Sequence, residues 1–132
     1  MNIIIKNSQG ENEVALDVVN RVLNASSFDY ISFNLRINHC PFSVSSMIDF
    51  SVLDLRLFTE SLKKILSFKM DNYSLLSFDR DFEISLKMDR NTGQILYTID
   101  YLAGVRGRLK FEFNSDQSCL PDLIEQMESI LQ

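Results

Sequence analysis

The clearest pattern along the chain is an alternation of apolar and polar residues, which is typical of β-strands. It is most regular from Tyr30 to Asn38, where every second residue is a large aliphatic or aromatic side chain. Such a segment places its apolar residues on one face of a sheet and its polar residues on the other. The same period of two predicts six further strands, at residues 2–6, 42–49, 73–78, 82–88, 94–101 and 109–114.

One segment, residues 14–23, fits two periods. Its first half alternates as a strand does, whereas Val18, Val19 and Val22 also fit one side of a helix. The β-branched content favours a strand. Both alternatives stay open from the pattern alone. Residues 24–27, Asn-Ala-Ser-Ser, are predicted to link this segment to the next strand.

Two segments change to the period of an α-helix. Ser51-Val-Leu-Asp54 resembles a capping box, and an apolar stripe follows it up to about residue 67. A second stripe covers residues 120–131, and Pro121 stands in the first turn, where a missing N–H costs no hydrogen bond. The stripe residues are Leu55, Phe58, Leu62, Ile65 and Leu66 in the first helix and Leu120, Leu123, Ile124, Met127, Ile130 and Leu131 in the second.

The order of elements is about four strands, a helix, about four strands and a helix. We therefore predict an α+β fold in which one antiparallel sheet of about seven to eight strands carries two helices, at about 51–67 and 120–131, on one face. The chain has 132 residues, of which 45% are hydrophobic. This is enough for one core and short for two domains, so residues 1–132 are predicted to form a single domain.

The charge balance narrows the class of partner. The formal net charge is −5 and the sequence pI is about 4.8, so the long-range field opposes nonspecific binding to nucleic acid or to an anionic membrane. The apolar run at residues 3–5 is too short for a signal peptide or a membrane span. We expect a cytoplasmic protein with no nucleic-acid and no membrane partner. Cys40 and Cys119 lie outside any C-x-x-C spacing, which favours reduced thiols.

Catalytic and metal-binding patterns are missing from the sequence. His39 is the only histidine, and its neighbour Cys40 would point to the opposite face of a strand, which is the wrong geometry for a Cys/His pair. The hydrolase, phosphate-loop and zincin motifs do not occur. We therefore predict no catalytic residues, no metal site and no cofactor, and we expect that the protein is not an enzyme.

Four carboxylates bracket the strand predicted at residues 82–88. They are Asp79, Asp81, Glu83 and Asp89. The inward face of this strand is apolar, so we expect the carboxylates to face solvent. Paired carboxylates also occur in acid/base catalysis and in hard-metal sites. We favour a solvated surface at the start of the strand over a catalytic or metal site. A contact surface for a basic partner remains a second possibility.

The segment Leu109-Lys-Phe-Glu-Phe-Asn-Ser-Asp-Gln-Ser-Cys-Leu120, followed by a helix, resembles the C-terminal signature of the immunity proteins paired with WapI-type polymorphic toxins. That signature runs as apolar-x-Phe-x-Phe, then Asp-Gln-Thr/Ser-aromatic-Leu, then a helix. The central helix and the two strands around Asn91-Thr-Gly93 occur in the same order, so the resemblance extends from about Ile31 to the end. Cys119 replaces the usual aromatic residue and Met70-Asp-Asn72 replaces a customary Gly, which indicates a divergent member.

The resemblance implies a cytosolic binding protein that neutralises the C-terminal toxin domain of a secreted or contact-dependent effector, often a nuclease, by occupying it. It also implies that the signature residues are structural. Phe111 and Phe113 would lie in the core, Asp116 would accept hydrogen bonds at the turn, and Leu120 would join the helix to the sheet, with Gln117 part of the same motif. Contacts with the toxin are then expected elsewhere, at the four carboxylates.

Two other classes of function stay open. The first is an acidic secretion chaperone, which holds an extended segment of an effector, although such proteins usually begin with a helix. The second is an enzyme, against which the missing arrangement of nucleophile and base counts. An uncharacterised, non-enzymatic protein-binding α+β domain is the more general alternative to an immunity protein. The sequence predicts neither the activity of the toxin nor the oligomeric state.

Overall fold

The computed structural model describes residues 1–23 and 29–132, and the linker predicted at 24–27 lies outside them. Four strands, β1 to β4, precede the helix α1, and four more, β5 to β8, precede the helix α2. Two short 3-10 turns flank β8, at Gly104–Arg106 and Gln117–Cys119. The bounds are Asn2–Lys6, Asn12–Val22, Tyr30–His39 and Phe42–Ser51 for β1 to β4, Val52–Leu66 for α1, Asn72–Leu76, Phe82–Met88, Gln94–Leu102 and Arg108–Asp116 for β5 to β8, and Leu120–Leu131 for α2.

The eight strands form two four-stranded antiparallel sheets, with the orders β1-β2-β3-β4 and β5-β6-β7-β8. The α+β class, the number of strands and the two helices are confirmed, but the strands are divided between two sheets instead of one. Each strand pairs with its neighbour in the chain, whereas α1 separates β4 from β5 and no ladder joins those two strands. The order ββββα therefore occurs twice, although the sequence has no visible repeat.

The ambiguous segment at 14–23 belongs to the strand β2, and a β-bulge explains its mixed pattern. The register with β3 shifts between Val18 and Asn20, so Val19 is an extra residue and is 56% exposed. A bulge of this kind moves the following residues by one position along the ladder. The alternation is interrupted there, and this interruption produced the helix-like spacing of valines.

The inner faces of the two sheets and the buried sides of the two helices form one apolar cluster. Phe50 on β4 connects the sheets, because its ring centroid lies 5.8 Å from that of Phe33 and 6.3 Å from that of Phe82 on β6. Both contacts are edge-on, the geometry that aromatic rings prefer. Sheet-to-sheet packing of this kind holds β4 beside the second sheet.

The two helices pack against each other and against edge strands, α1 on β5 and α2 on β1. The predicted start of α1 is correct, since the Ser51 hydroxyl accepts a hydrogen bond from the Asp54 N–H at 3.0 Å. Lys63 links the helices: its Nζ lies 3.3 Å from the carboxylates of both Glu60 and Glu128. The hydrogen bonds to Glu128 and Glu60 raise the pKa of Lys63 above its ordinary value.

Candidate functional site

The turn that carries Asp79 and Asp81 is organised by Ser77. This serine is buried, and its hydroxyl donates to Asp81 Oδ1 at 2.7 Å while it accepts the N–H groups of Asp81 at 3.1 Å and Phe82 at 3.0 Å. The Ser77 carbonyl accepts the N–H of Arg80 at 3.0 Å, and Arg80 has a positive φ of 62°. Local side-chain to backbone bonds of this kind fix the turn. Asp81 therefore faces partly inward, and Asp79 is exposed.

Two further bonds attach this turn to the rest of the molecule. The Phe78 N–H donates to the Asp49 carbonyl at 2.8 Å, and the Leu102 N–H donates to the Asp81 carbonyl at 2.8 Å. The turn thus lies against the end of β4, beside the Asp49 carboxylate, which accepts a hydrogen bond from Ser32 at 2.6 Å. Asp49 was missing from the candidate residues, because nothing in the sequence indicates that β4 meets this turn.

Glu83 lies half-buried on the outer face of β6, in register with Asp100 on β7. Asp100 is held by Arg108, whose Nε donates to Asp100 Oδ1 at 2.8 Å. The Arg108 hydrogen bonds and charge keep the pKa of the Asp100 carboxyl below its ordinary value, and the same contact raises the pKa of Arg108. Lys110 lies in register with Asp100 on β8. Charges on this outer face are therefore mixed, and the acidic excess is at the turn.

Asp89 lies at the opposite end of β6 from the other three carboxylates. The seven-residue strand separates it from Asp81, which corresponds to roughly 26 Å at about 3.3 Å per residue. Asp89 shapes its own hairpin, where Oδ1 accepts the Asn91 N–H at 2.9 Å. The structure thus brings Asp79, Asp81 and Glu83 together near one end of the strand and places Asp89 apart from them.

The apolar residues Phe111, Phe113 and Leu120 of the signature segment are buried, and Asp116 lies at the surface. Phe113 stacks on Tyr97 with a centroid distance of 5.1 Å, and Phe111 is buried beside it. Asp116 Oδ1 accepts the Ser118 N–H at 3.1 Å at the turn before α2. Leu120 is completely buried.

Gln117 contacts the hairpin between β6 and β7 at Gly93. Its N–H donates to the Gly93 carbonyl at 3.2 Å, and a Cβ added at Gly93 would lie 2.9 Å from Gln117 Oε1. Gly93 also has a φ of +74°, which side-chain-bearing residues rarely adopt. The hairpin and the signature segment are therefore fitted to each other.

His39 joins the two sheets. Its ring stacks on Phe111 of β8 with a centroid distance of 4.1 Å, and its Nδ1 lies 3.2 Å from Glu13 Oε2. Glu13 is buried and also accepts a hydrogen bond from the Asn7 side chain at 2.9 Å. These contacts of His39 were not predictable from the sequence, because Glu13 lies on β2 and Phe111 on β8, far from His39 in the chain.

Within residues 1–23 and 29–132, no three His, Cys, Asp or Glu side chains are placed to hold a metal ion. Over the same part of the chain, none of the helices has the length and apolar character needed to cross a bilayer. Both cysteines are free thiols, Cys40 exposed and Cys119 half-buried.

The acidic turn and the end of β4 place the exposed carboxylate of Asp79 near the partly buried carboxylates of Asp81 and Asp49. A family model described as the immunity protein WapI-like family matches residues 4–132. The chain belongs to this family. The match includes β2 and most of β1, and so extends well beyond the resemblance that began at about Ile31. Membership in an immunity protein family indicates a toxin-neutralising function in general terms.

Two solved structures are similar to this immunity-family chain. The MRP1/MRP2 structure of Trypanosoma brucei has a TM-score of 0.53 at 8% identity and covers 99% of this chain and 82% of its own. The WHY1 structure from Arabidopsis thaliana has a TM-score of 0.47 at 9% identity, with coverage of 99% and 81%. At such low identity the first similarity concerns the fold alone. No curated protein sequence matches the chain.

Proposed function

We propose that this protein binds the C-terminal toxin domain of a cognate secreted or contact-dependent effector in the cytoplasm and neutralises it by occupying it. The observation that carries the proposal is the family match over residues 4–132. Binding without catalysis, cofactor or metal suits this role, since occupation of the toxin is sufficient. Neither nucleic acid nor a membrane is proposed as a partner.

The proposed contact surface is the acidic turn with Glu83, and Asp89 at its far rim. A standard interface buries about 800 Å² on each partner, which corresponds to a disc about 32 Å across. Asp79 and Asp89, at opposite ends of β6, both fit within one such footprint. Asp79 and Glu83 are the better contacts, because the Asp81 carboxylate already accepts a hydrogen bond from the Ser77 hydroxyl.

Charge supports a basic partner for this surface. The whole chain carries a net charge of −5, and the exposed Asp79, with the half-buried Asp81 and Glu83 beside it, would attract a cationic surface without reorganisation of the turn. A toxin that acts on nucleic acid has such a surface, because its active site must hold phosphates. Complementary charges of this kind mainly raise the association rate and make it depend on salt.

The test is a charge reversal with a matched control. In the double variant Asp79→Lys/Glu83→Lys the hydrogen bonds between Ser77 and Asp81 remain, so the turn should keep its shape and the melting temperature should change little. The control, Asp122→Lys/Glu125→Lys, reverses two exposed carboxylates on the outer side of α2 and changes the net charge equally. Association with the toxin domain is measured at low and high ionic strength.

We expect the turn variant to associate up to about tenfold more slowly at low salt and to lose most of its salt dependence, with a smaller effect in the control. Equal slowing in both variants would assign the effect to net charge alone and would remove the turn from the interface. The function itself is tested by co-expression with the cognate toxin domain. An immunity protein abolishes the toxin's activity, whereas a secretion chaperone would bind an extended segment and leave the activity intact.

A further inference from the structure

Strand β4 has an open edge along its first half. It is the last strand of the first sheet and pairs only with β3. The Asp49 carbonyl points away from β3, because it accepts the Phe78 N–H. In an antiparallel ladder the N–H and C=O of one residue point to the same side, and the side alternates along the strand. The backbone groups of Ser43, Ser45 and Met47 therefore also point away from β3.

These three residues define what we call the open edge. Two backbone groups on each of three residues give six groups, and within the described part of the chain no other element bonds to them. The edge of β1, on the other side of the same sheet, differs in this respect. Its Ile4 N–H donates to Gln126 Oε1 of α2 at 2.9 Å.

The open edge also lacks the features that usually protect edge strands from pairing. Such strands typically carry lysines, an internal proline or a bulge. No lysine or arginine occurs between residues 40 and 55, and the register between β3 and β4 is continuous from end to end. Pro41 precedes the strand and does not interrupt it. The side chains of Ser43 and Ser45 are small and exposed, and Met47 is 55% exposed.

We propose that the open edge accepts an extended, positively charged segment of the toxin partner, which adds to the first sheet as a fifth strand. Main-chain hydrogen bonds would supply the attachment, as they do whenever a peptide extends a sheet. The inference rests on the proposed function, and it names the kind of segment that the toxin contributes. The segment would span about 13–17 Å, the length of roughly four to five extended residues.

The acidic turn at the end of the open edge indicates that the added segment is positively charged. The bond between Phe78 and Asp49 brings the acidic turn against β4, so a strand running along the edge meets Asp49, Asp79 and Asp81. Arg80 is the one cation in this turn. Basic residues of the added segment would therefore be attracted there. A second copy of this chain, with the same net charge of −5, would be repelled.

The first measurement is residue-resolved amide hydrogen exchange of the wild-type protein, free and bound to the toxin domain. The N–H groups of Ser43, Ser45 and Met47 should exchange fast in the free protein and become protected at least about tenfold in the complex, because they then enter a ladder. Val44 and Ser46 already face β3 and should change little. This alternation would not arise from an interface made by side chains alone.

The second measurement compares Ser45→Pro with Ser45→Ala. Proline removes the outward N–H and fills the edge, yet it keeps the ladder to β3, the position at which edge strands tolerate proline. Alanine removes only the hydroxyl and keeps the N–H. We expect Ser45→Pro to raise Kd at least about tenfold and Ser45→Ala to change it less than about threefold. The melting temperature of each variant is measured alongside.

The outcomes separate the two proposals. A toxin that is bound and inhibited without protection of Ser43, Ser45 and Met47 would overturn the strand addition and leave the immunity function intact. Absence of any binding or inhibition would overturn the function, and the strand addition with it. Protection that appears in the free protein and rises with its concentration would identify a second copy as the occupant and would also overturn the inference.

Discussion

Tyr97 provides a test of the core that depends on pH. It lies on β7, only 2% exposed, with its ring stacked on Phe113 of the signature segment. Burial, with a smaller contribution from the neighbouring Cys119, raises the pKa of the Tyr97 phenol well above its ordinary value of 10.0. The folded protein therefore keeps this phenol neutral at a pH where the unfolded chain ionises it.

The sign and the size of the effect follow from linkage. Unfolding releases a proton from Tyr97 above pH 10, so the unfolded state is favoured there and the free energy of unfolding falls as pH rises. The contribution of Tyr97 is complete below the unfolded pKa and is lost as pH approaches the raised folded value. The loss is about 0.4 kcal/mol at pH 10, from RT ln 2, and about 1.4 kcal/mol at pH 11, from RT ln 11.

The assay is urea unfolding of the wild type and of Tyr97→Phe at pH 8, 10 and 11, with a reductant present. The variant keeps the ring and its stacking on Phe113 and loses only the titrating group. It should therefore lose about 1.4 kcal/mol less stability than the wild type between pH 8 and pH 11. Equal slopes for Tyr97→Phe and the wild type would refute the burial of this phenol.

Two further predictions concern α2 and the turn before it. Leu123→Ala should cost about 2–5 kcal/mol in chemical unfolding, because Leu123 is 3% exposed, whereas Leu53→Ala, the same change at a helical position 66% exposed, should stay within about 0.5 kcal/mol. Similar losses of stability in both variants would contradict the packing of α2 in the core through Leu123. Asp116→Ala should cost about 1 kcal/mol through loss of the bond to the Ser118 N–H and should leave toxin binding unchanged well below melting. A variant of wild-type stability that fails to bind would instead place Asp116 in the interface.

The elements of the fold were predictable because their signals are local. Alternation located the strands, and Ser51 with its stripe located α1, since both depend on residues a few positions apart. The division into two sheets was not predictable in this way. A hairpin pairs strands that are neighbours in the chain. No local pattern indicates whether β4 also pairs with β5, because a helix of 15 residues separates them.

The candidate site was predictable in part, for the same reason. Three of the carboxylates lie close in sequence and come together around the start of β6. Asp89 follows the other end of that strand and lies apart from them. Asp49 and the open edge of β4 were missed because the contact that brings them to the turn, Phe78 to Asp49, crosses from one sheet to the other. The role of Ser77 was missed because its hydrogen bonds, to the Asp81 carboxylate and to two backbone N–H groups, have no sequence signature.

The signature segment and the proposed binding surface lie on opposite sides of the first sheet. The strand and helix of the signature segment close one side of the first sheet, since Gln126 of α2 caps Ile4 and the Asn114 carbonyl of β8 accepts the Ser8 N–H at 2.8 Å. The open edge of β4 lies on the other side of that sheet, three strand spacings or about 14 Å away. The signature segment and the open edge therefore lie on opposite sides of the first sheet. Under the proposed function, we expect that substitutions at the exposed positions of the acidic turn and of the open edge alter toxin recognition and leave the contacts of the signature segment in place.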